Sequence, residues 1–159
     1  VRDLRSDLAG ETGAVSIYRG MLANTADQDV LNFAEAHLQT EQKHLALLQN
    51  WLPDGCRSRV LPAWRLSGWI LGAVAARMGR TFTFVTIEAV ETFVVAHYLA
   101  QIDKTTGPLR TLLVDLQADE AEHRDDACGR VARVHLGHRI WANIVRLGSA
   151  GAVLVARWV

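Results

Sequence analysis

The sequence predicts an all-α protein, a four-helix bundle joined by two additional apolar helices. Three observations carry this. Four stretches place apolar residues at steps of three and four, the spacing of one helix face. No run of useful length alternates apolar and polar residues as a half-buried strand would. Pro53, Pro62 and Pro108 are the only prolines, and all three fall between the expected helices.

The first helix is expected over residues 2–23, on a seam of Leu4, Leu8, Glu11, Val15, Tyr18 and Leu22. Asn24 to Asp27 makes a turn, and the second helix covers about 27–51. Its seam is Leu31, Ala34, Leu38, Glu41, Leu45, Leu48 and Leu52, and Pro53-Asp54-Gly55 stops it. An apolar insert follows over 60–78, holding Trp64, Trp69, Ile70, Leu71 and Val74. The third helix, 82–103, carries Phe84, Ile87, Glu91, Val94 and Tyr98. The fourth, 108–132, carries Leu109, Leu113, Leu116, Glu120, His123, Ala127 and Val131. A last apolar helix is expected over 140–159.

At 159 residues, half of them apolar, the chain reads as one domain able to bury a core. Its 17 basic and 17 acidic residues balance, which argues against a nucleic-acid partner because that would call for a basic footprint. Cys56 and Cys128 make neither a disulfide framework nor a C-x-x-C metal motif, and a reducing intracellular compartment is expected. No Gly-x-Gly-x-x-Gly follows a strand, so no dinucleotide-binding unit is visible. Val1 is no natural start, and the sequence reads as trimmed.

Two pairs, Glu41-x-x-His44 and Glu120-x-x-His123, dominate the chemistry. Residues three apart on a helix share a face, so each pair can grip one metal ion. Glu11 precedes Glu41 by 30 residues and Glu91 precedes Glu120 by 29, each on the preceding bundle helix. Two similar halves thus each supply Glu, then Glu-x-x-His, which is the ligand set of a di-metal site in a helical bundle. All four glutamates sit mid-seam, where a lone buried carboxylate would cost several kcal/mol or stay protonated. Two divalent cations balance four carboxylates, and two neutral imidazoles complete the set without adding charge.

The run from Leu66 to Ala76 is too short to cross a bilayer, which takes about 20 apolar residues. Four helices already provide a core, so the insert and the C-terminal helix need another surface. They are expected to lie in a membrane interface, with Arg65, Arg77, Arg80, Arg146 and Arg157 reaching for phosphates.

With these residues placed, the chain resembles the demethoxyubiquinone hydroxylase family of ubiquinone biosynthesis, in the ferritin-like di-iron carboxylate superfamily. The resemblance rests on Arg5-Ser-Asp-Leu-Ala-Gly-Glu11-Thr-Gly-Ala14 with Ile17-Tyr18 and Gly20, and on Glu41-x-x-His44-Leu45. It continues through Leu61-Pro-Ala-Trp64, Gly68, Leu71-Gly72, Ala89-Val-Glu91, Ala96-His-Tyr98, Gln101-Ile102 and Asp119-Glu-x-Glu-His123-x-Asp125.

It implies a ferritin-like bundle and a di-iron monooxygenase that hydroxylates the ring of a demethoxylated quinone, using O2 and electrons from NADH, which is not a bound prosthetic group. Two iron ions would be held by Glu11, Glu41, His44, Glu91, Glu120 and His123, with His97 and Tyr98 beside them as catalytic residues. Trp64, Trp69 and Ile70 would face membrane and substrate. Implied partners are a polyprenyl quinone, a membrane surface, a lipid-carrier or other quinone-biosynthesis protein, and a second copy of the chain. The implied location is peripheral, on the cytoplasmic face of a bacterial inner membrane, or the mitochondrial inner membrane in a eukaryote.

Two positions depart from the family pattern. Leu8 stands where a histidine is usual, and Thr92 where a second glutamate is common. Glu88, one turn before Glu91, is a rival ligand. His37 is expected at the surface or in a second layer behind the ligands, and His135 and His138 in solvent. The competing functions are a ferritin-like iron oxidase or peroxidase, and a metal-stabilised, membrane-associated lipid-binding scaffold.

Overall fold

In the computed structural model, residues 1–158 are described, Asp54 by its backbone alone. All regular structure among them is helical. Val159, included in the expected last helix, lies outside the described residues. The helices are α1 (Arg2–Leu22), α2 (Gln28–Trp51), α3 (Leu61–Met78), α4 (Arg80–Ile102), α5 (Gly107–Gly129) and α6 (Leu136–Trp158), with one 3₁₀ turn at Asp54–Cys56. The chain is therefore all-α, as its periodicity requires, and consistent with a ferritin-like helical bundle. It forms two compact units, residues 1–83 with the C-terminal residues from 151, and residues 84–150.

In the first unit α1 packs against both α2 and α3. Asp27 starts α2: its Oδ1 accepts from the backbone N–H groups of Asp29 (3.0 Å) and Val30 (3.3 Å) and so caps two otherwise unpaired donors. Its Oδ2 accepts from Arg80 Nε at 2.8 Å, and Arg80 also meets Asp29. The Arg80 guanidinium holds the Asp27 carboxyl below its ordinary 3.8, so the pair's contribution is present at neutral pH and lost on strong acidification. The pair is largely exposed, so that contribution is small and salt-sensitive.

The join between α1 and α3 is unusually close. A Cβ on Gly72 would lie 1.9 Å from the Ile17 carbonyl oxygen. One on Gly68 would lie 2.4 Å from the Gly13 oxygen, and one on Gly20 2.2 Å from that of Trp69. Gly68 and Gly72 meet Gly13 and Ile17 in the same order, so the two helices run parallel. Small residues let two backbones touch, and Cα–H groups can then point at carbonyls. With Gly68, Gly72, Ala73, Ala75 and Ala76 turned inward, Leu66, Trp69, Ile70, Val74 and Met78 are left exposed. Pro62 lies in the first turn of α3 and Pro108 in that of α5, not between helices; the missing N–H costs nothing there. Gly79, at φ 103°, ends the helix in a conformation other residues resist. The end of α6 is tied to the start of α1 by Arg157 with Asp3 and by the Arg2 guanidinium 4.2 Å over the Trp158 ring.

In the second unit α4 buries Phe84, Val85, Ile87, Ala89 and Val90, and α5 buries Leu113, Leu116 and Ala127. Trp141 Nε1 donates to Thr86 Oγ1 at 2.7 Å, fixing α6 on α4. The helix α5 stops at Gly129, three residues before the expected end, so the seam residue Val131 falls outside it. The helix α6 begins at Leu136, four residues before the expected start. The His135 N–H donates to His138 Nδ1 at 3.0 Å just there, a cap no Ser, Thr, Asp or Asn announced. Leu136, Ile140, Ile144 and Leu147 follow at helical spacing, all exposed. Among the described residues, α4 alone is long and apolar enough to cross a membrane. Since 56% of its most apolar window is buried, core packing accounts for that apolarity.

Candidate metal centre

The apolar seams carry their acidic residues inward. None of Glu11, Glu41, His44, Glu91, Glu120 and His123 is more than 3% exposed, a burial that carboxylates do not tolerate without a compensating charge.

In the first unit, α1 supplies Glu11 and α2 supplies Glu41 and His44. One ligand atom from each lies within 4.8 Å of the others. His44 Nδ1 stands 3.6 Å from Glu11 Oε2, both side chains buried. In the second unit, α4 supplies Glu91 and α5 supplies Glu120 and His123, again within 4.8 Å of one another. His123 Nδ1 stands 3.3 Å from Glu120 Oε2. Each half is thus a buried triad of two carboxylates and one imidazole.

These spacings suit a metal better than a hydrogen bond. A charge-assisted N–H to carboxylate bond closes to about 2.7–2.9 Å. Two ligands on one first-row ion, each about 2.1 Å from it, stand about 3.0–3.6 Å apart for angles of about 90–120° at the metal. The charges agree. Protonating the imidazole would leave each triad at −1, whereas one divalent cation balances its two carboxylates. Oxygen-rich sites with one imidazole suit ions such as iron or manganese. The donor set therefore fits iron.

Glu88 is half-buried and outside the second triad, its carbonyl accepting from Thr92 Oγ1 at 2.6 Å. Leu8, one turn before Glu11, is 1% exposed and offers no polar atom. Tyr98 is fully buried on the face of Glu91, while His97 is half-buried with its ring stacked on Phe93 at 5.9 Å. Trp69 and Ile70 are exposed and Trp64 is half-buried.

Of its two expected places, His37 takes the second layer: it is buried, with its ring 4.3 Å from Phe33 and stacked on Tyr18 at 6.1 Å. Sequence reasoning gave no part to two further groups. Tyr18 follows Glu11 by seven residues, as Tyr98 follows Glu91, and that internal repeat was the available signal. Asp7, one turn before Glu11, is buried as well.

Two buried Glu, Glu-x-x-His triads on helices are compatible with one class, the carboxylate-rich metal proteins of helical bundles. The family described as ubiquinone biosynthesis protein COQ7 matches residues 1–156, and the chain belongs to that family. It is 32% identical to a protein of Rhodospirillum rubrum named 3-demethoxyubiquinol 3-hydroxylase, over 99% of this chain and 77% of that one. A human protein named NADPH-dependent 3-demethoxyubiquinone 3-hydroxylase, mitochondrial, is 27% identical over 98% of this chain and 76% of its own length. Its Dictyostelium discoideum counterpart, of the same name, is 28% identical over 96% and 74%.

Proposed function

We propose that this chain is a di-iron monooxygenase that hydroxylates the ring of a demethoxyubiquinone-type intermediate. The observation that carries the reading is the pair of buried triads, each supplying two carboxylates and one imidazole. Glu11, Glu41 and His44 would hold one iron ion, and Glu91, Glu120 and His123 the other. Bound iron would supply O2 activation, one oxygen atom going to the ring and the other to water. The electrons come from a reduced nicotinamide nucleotide; the family resemblance implies NADH, and the human and Dictyostelium relatives are named NADPH-dependent.

The protein's own residues do the rest. Apolar side chains around the triads keep water from the reaction. The Tyr98 hydroxyl, buried seven residues beyond Glu91, would move a proton, and His97 would hydrogen-bond to a metal ligand. Tyr98→Phe should therefore keep its iron content while slowing hydroxylation of a short-tailed demethoxyubiquinone analogue roughly tenfold or more, the low end for a lost proton-transfer group. A variant as fast as the unaltered protein would make Tyr98 a packing residue only. In the same assay, nucleotide consumption that runs equally without the quinone would contradict the substrate assignment.

The exposed apolar face of α3 supports a peripheral membrane position, giving a polyprenyl-tailed substrate an apolar approach. Trp69 is well placed as an anchor at headgroup depth, with Trp64 one turn earlier. Vesicles containing phosphatidylglycerol should sediment the protein, and Trp64→Ser with Trp69→Ser should lower recovery several-fold. Equal recovery would place those tryptophans in the fold alone. A lipid-carrier protein and a second copy of the chain are further partners in this reading.

A further inference from the structure

We infer that the first unit carries a second ligand site, a cavity lined by α1, α2 and α3 that takes a phosphate monoester. The cavity measures about 300 Å³, at the small end of ligand pockets. Its walls bring together Thr12, Ser16 and Arg19 from α1, Gln42 and Gln49 from α2, and Arg65 from α3. Among the described residues, no acidic side chain lines it.

The lining defines what fits. Neither Arg19 nor Arg65 pairs with a carboxylate among the described residues, and the Gln42 and Gln49 amides make no hydrogen bond there. Two guanidiniums and two amides are thus uncommitted donors around one hollow. The hydroxyls are committed: Thr12 Oγ1 donates to the Leu8 carbonyl at 2.7 Å and Ser16 Oγ to that of Thr12 at 2.9 Å. They therefore present lone pairs, which accept from a hydroxyl of the ligand. Two fixed positive charges match the roughly −2 of a phosphate monoester and exceed the single charge of a carboxylate. Guanidinium forks also suit phosphate oxygens. Val15 and Leu45 supply an apolar wall for the group that carries the phosphate.

The site is independent of iron and of hydroxylation. Its ligand is either a soluble phosphate ester or the headgroup of a phospholipid beside α3. Calorimetric titration of the whole chain with glycerol 3-phosphate and with dihexanoyl phosphatidic acid separates the two sources. One equivalent of at least one ligand should bind saturably. Arg19→Gln with Arg65→Gln should weaken that binding tenfold or more without moving the melting temperature, since both side chains are exposed. Tighter binding of the lipid assigns a headgroup, and equal or tighter binding of glycerol 3-phosphate assigns a soluble ester. Failure of both ligands to bind, or a loss under tenfold in the double variant, overturns the site.

Discussion

His123→Ala should leave the fold intact, reduce bound iron from two ions per chain to one or fewer, and lower ring hydroxylation by on the order of 100-fold or more. Loss of an outer-shell partner already costs 10–100-fold in metal affinity or activity, and a direct ligand costs more. The imidazole is the one neutral donor of its triad. Alanine in its place leaves Glu91 and Glu120 to hold an ion through oxygen alone. Because metal bound only by the folded chain adds RT ln(1 + [L]/Kd), about 2.7 kcal/mol at a hundredfold excess over Kd, the unaltered protein should melt higher with Fe(II) than without. The variant should lose part of that difference. Metal analysis with anaerobic thermal melts reads both quantities. Iron content of two and an unchanged metal-dependent shift in the variant would remove His123 from the ligand set.

Gly72→Val should be the most destabilising single change in the first unit, at about 3 kcal/mol or more. Overpacking usually costs 1–3 kcal/mol because side chains can move aside. Here the obstacle is the Ile17 carbonyl, 1.9 Å from where the new Cβ must stand, and a helix backbone does not yield locally. The helices must separate, and the contacts at Gly68 and Gly20 open with them. Glu11 lies on the same α1, so iron affinity should fall in parallel. Gly10→Ala is the control: its Cβ would meet nothing within 4 Å, and alanine in an exposed helix position should stabilise by about 1 kcal/mol. Urea denaturation of the two variants gives both values. A Gly72→Val protein as stable as its parent would mean that α3 is not held on α1 by this ridge.

What the sequence disclosed, and what it withheld, follows from what each feature depends on. The burial and clustering of the six candidate residues were legible because helical spacing and charge act on the same positions. Glu11, Glu41, Glu91 and Glu120 interrupt apolar seams, and a carboxylate there calls for a proton or a compensating ion whatever the detailed packing. The glycine ridge was not legible in that way. Gly68 and Gly72 entered the sequence reading only as part of the family resemblance, and only the packed α1 backbone shows that a side chain is forbidden there. The start of α6 was misjudged because its cap is a histidine pair, outside the usual N-cap residues, although the Leu136, Ile140, Ile144 spacing was available. His37 was left between the surface and a second layer because periodicity along α2 alone cannot decide. Tyr18, on another helix, stacks on its ring, and single-helix periodicity cannot see such a contact.

The central claim, that the two triads hold iron which directs O2 to a quinone ring, is tested most directly by isotope. The iron-loaded protein should be given a demethoxyubiquinone analogue, NADH and ¹⁸O2 in unlabelled water, and the extracted product weighed by mass spectrometry. The account predicts one added hydroxyl carrying ¹⁸O, formed only with iron and the quinone both present. Product oxygen drawn from water, or iron-dependent NADH oxidation that leaves the quinone unchanged, would contradict it.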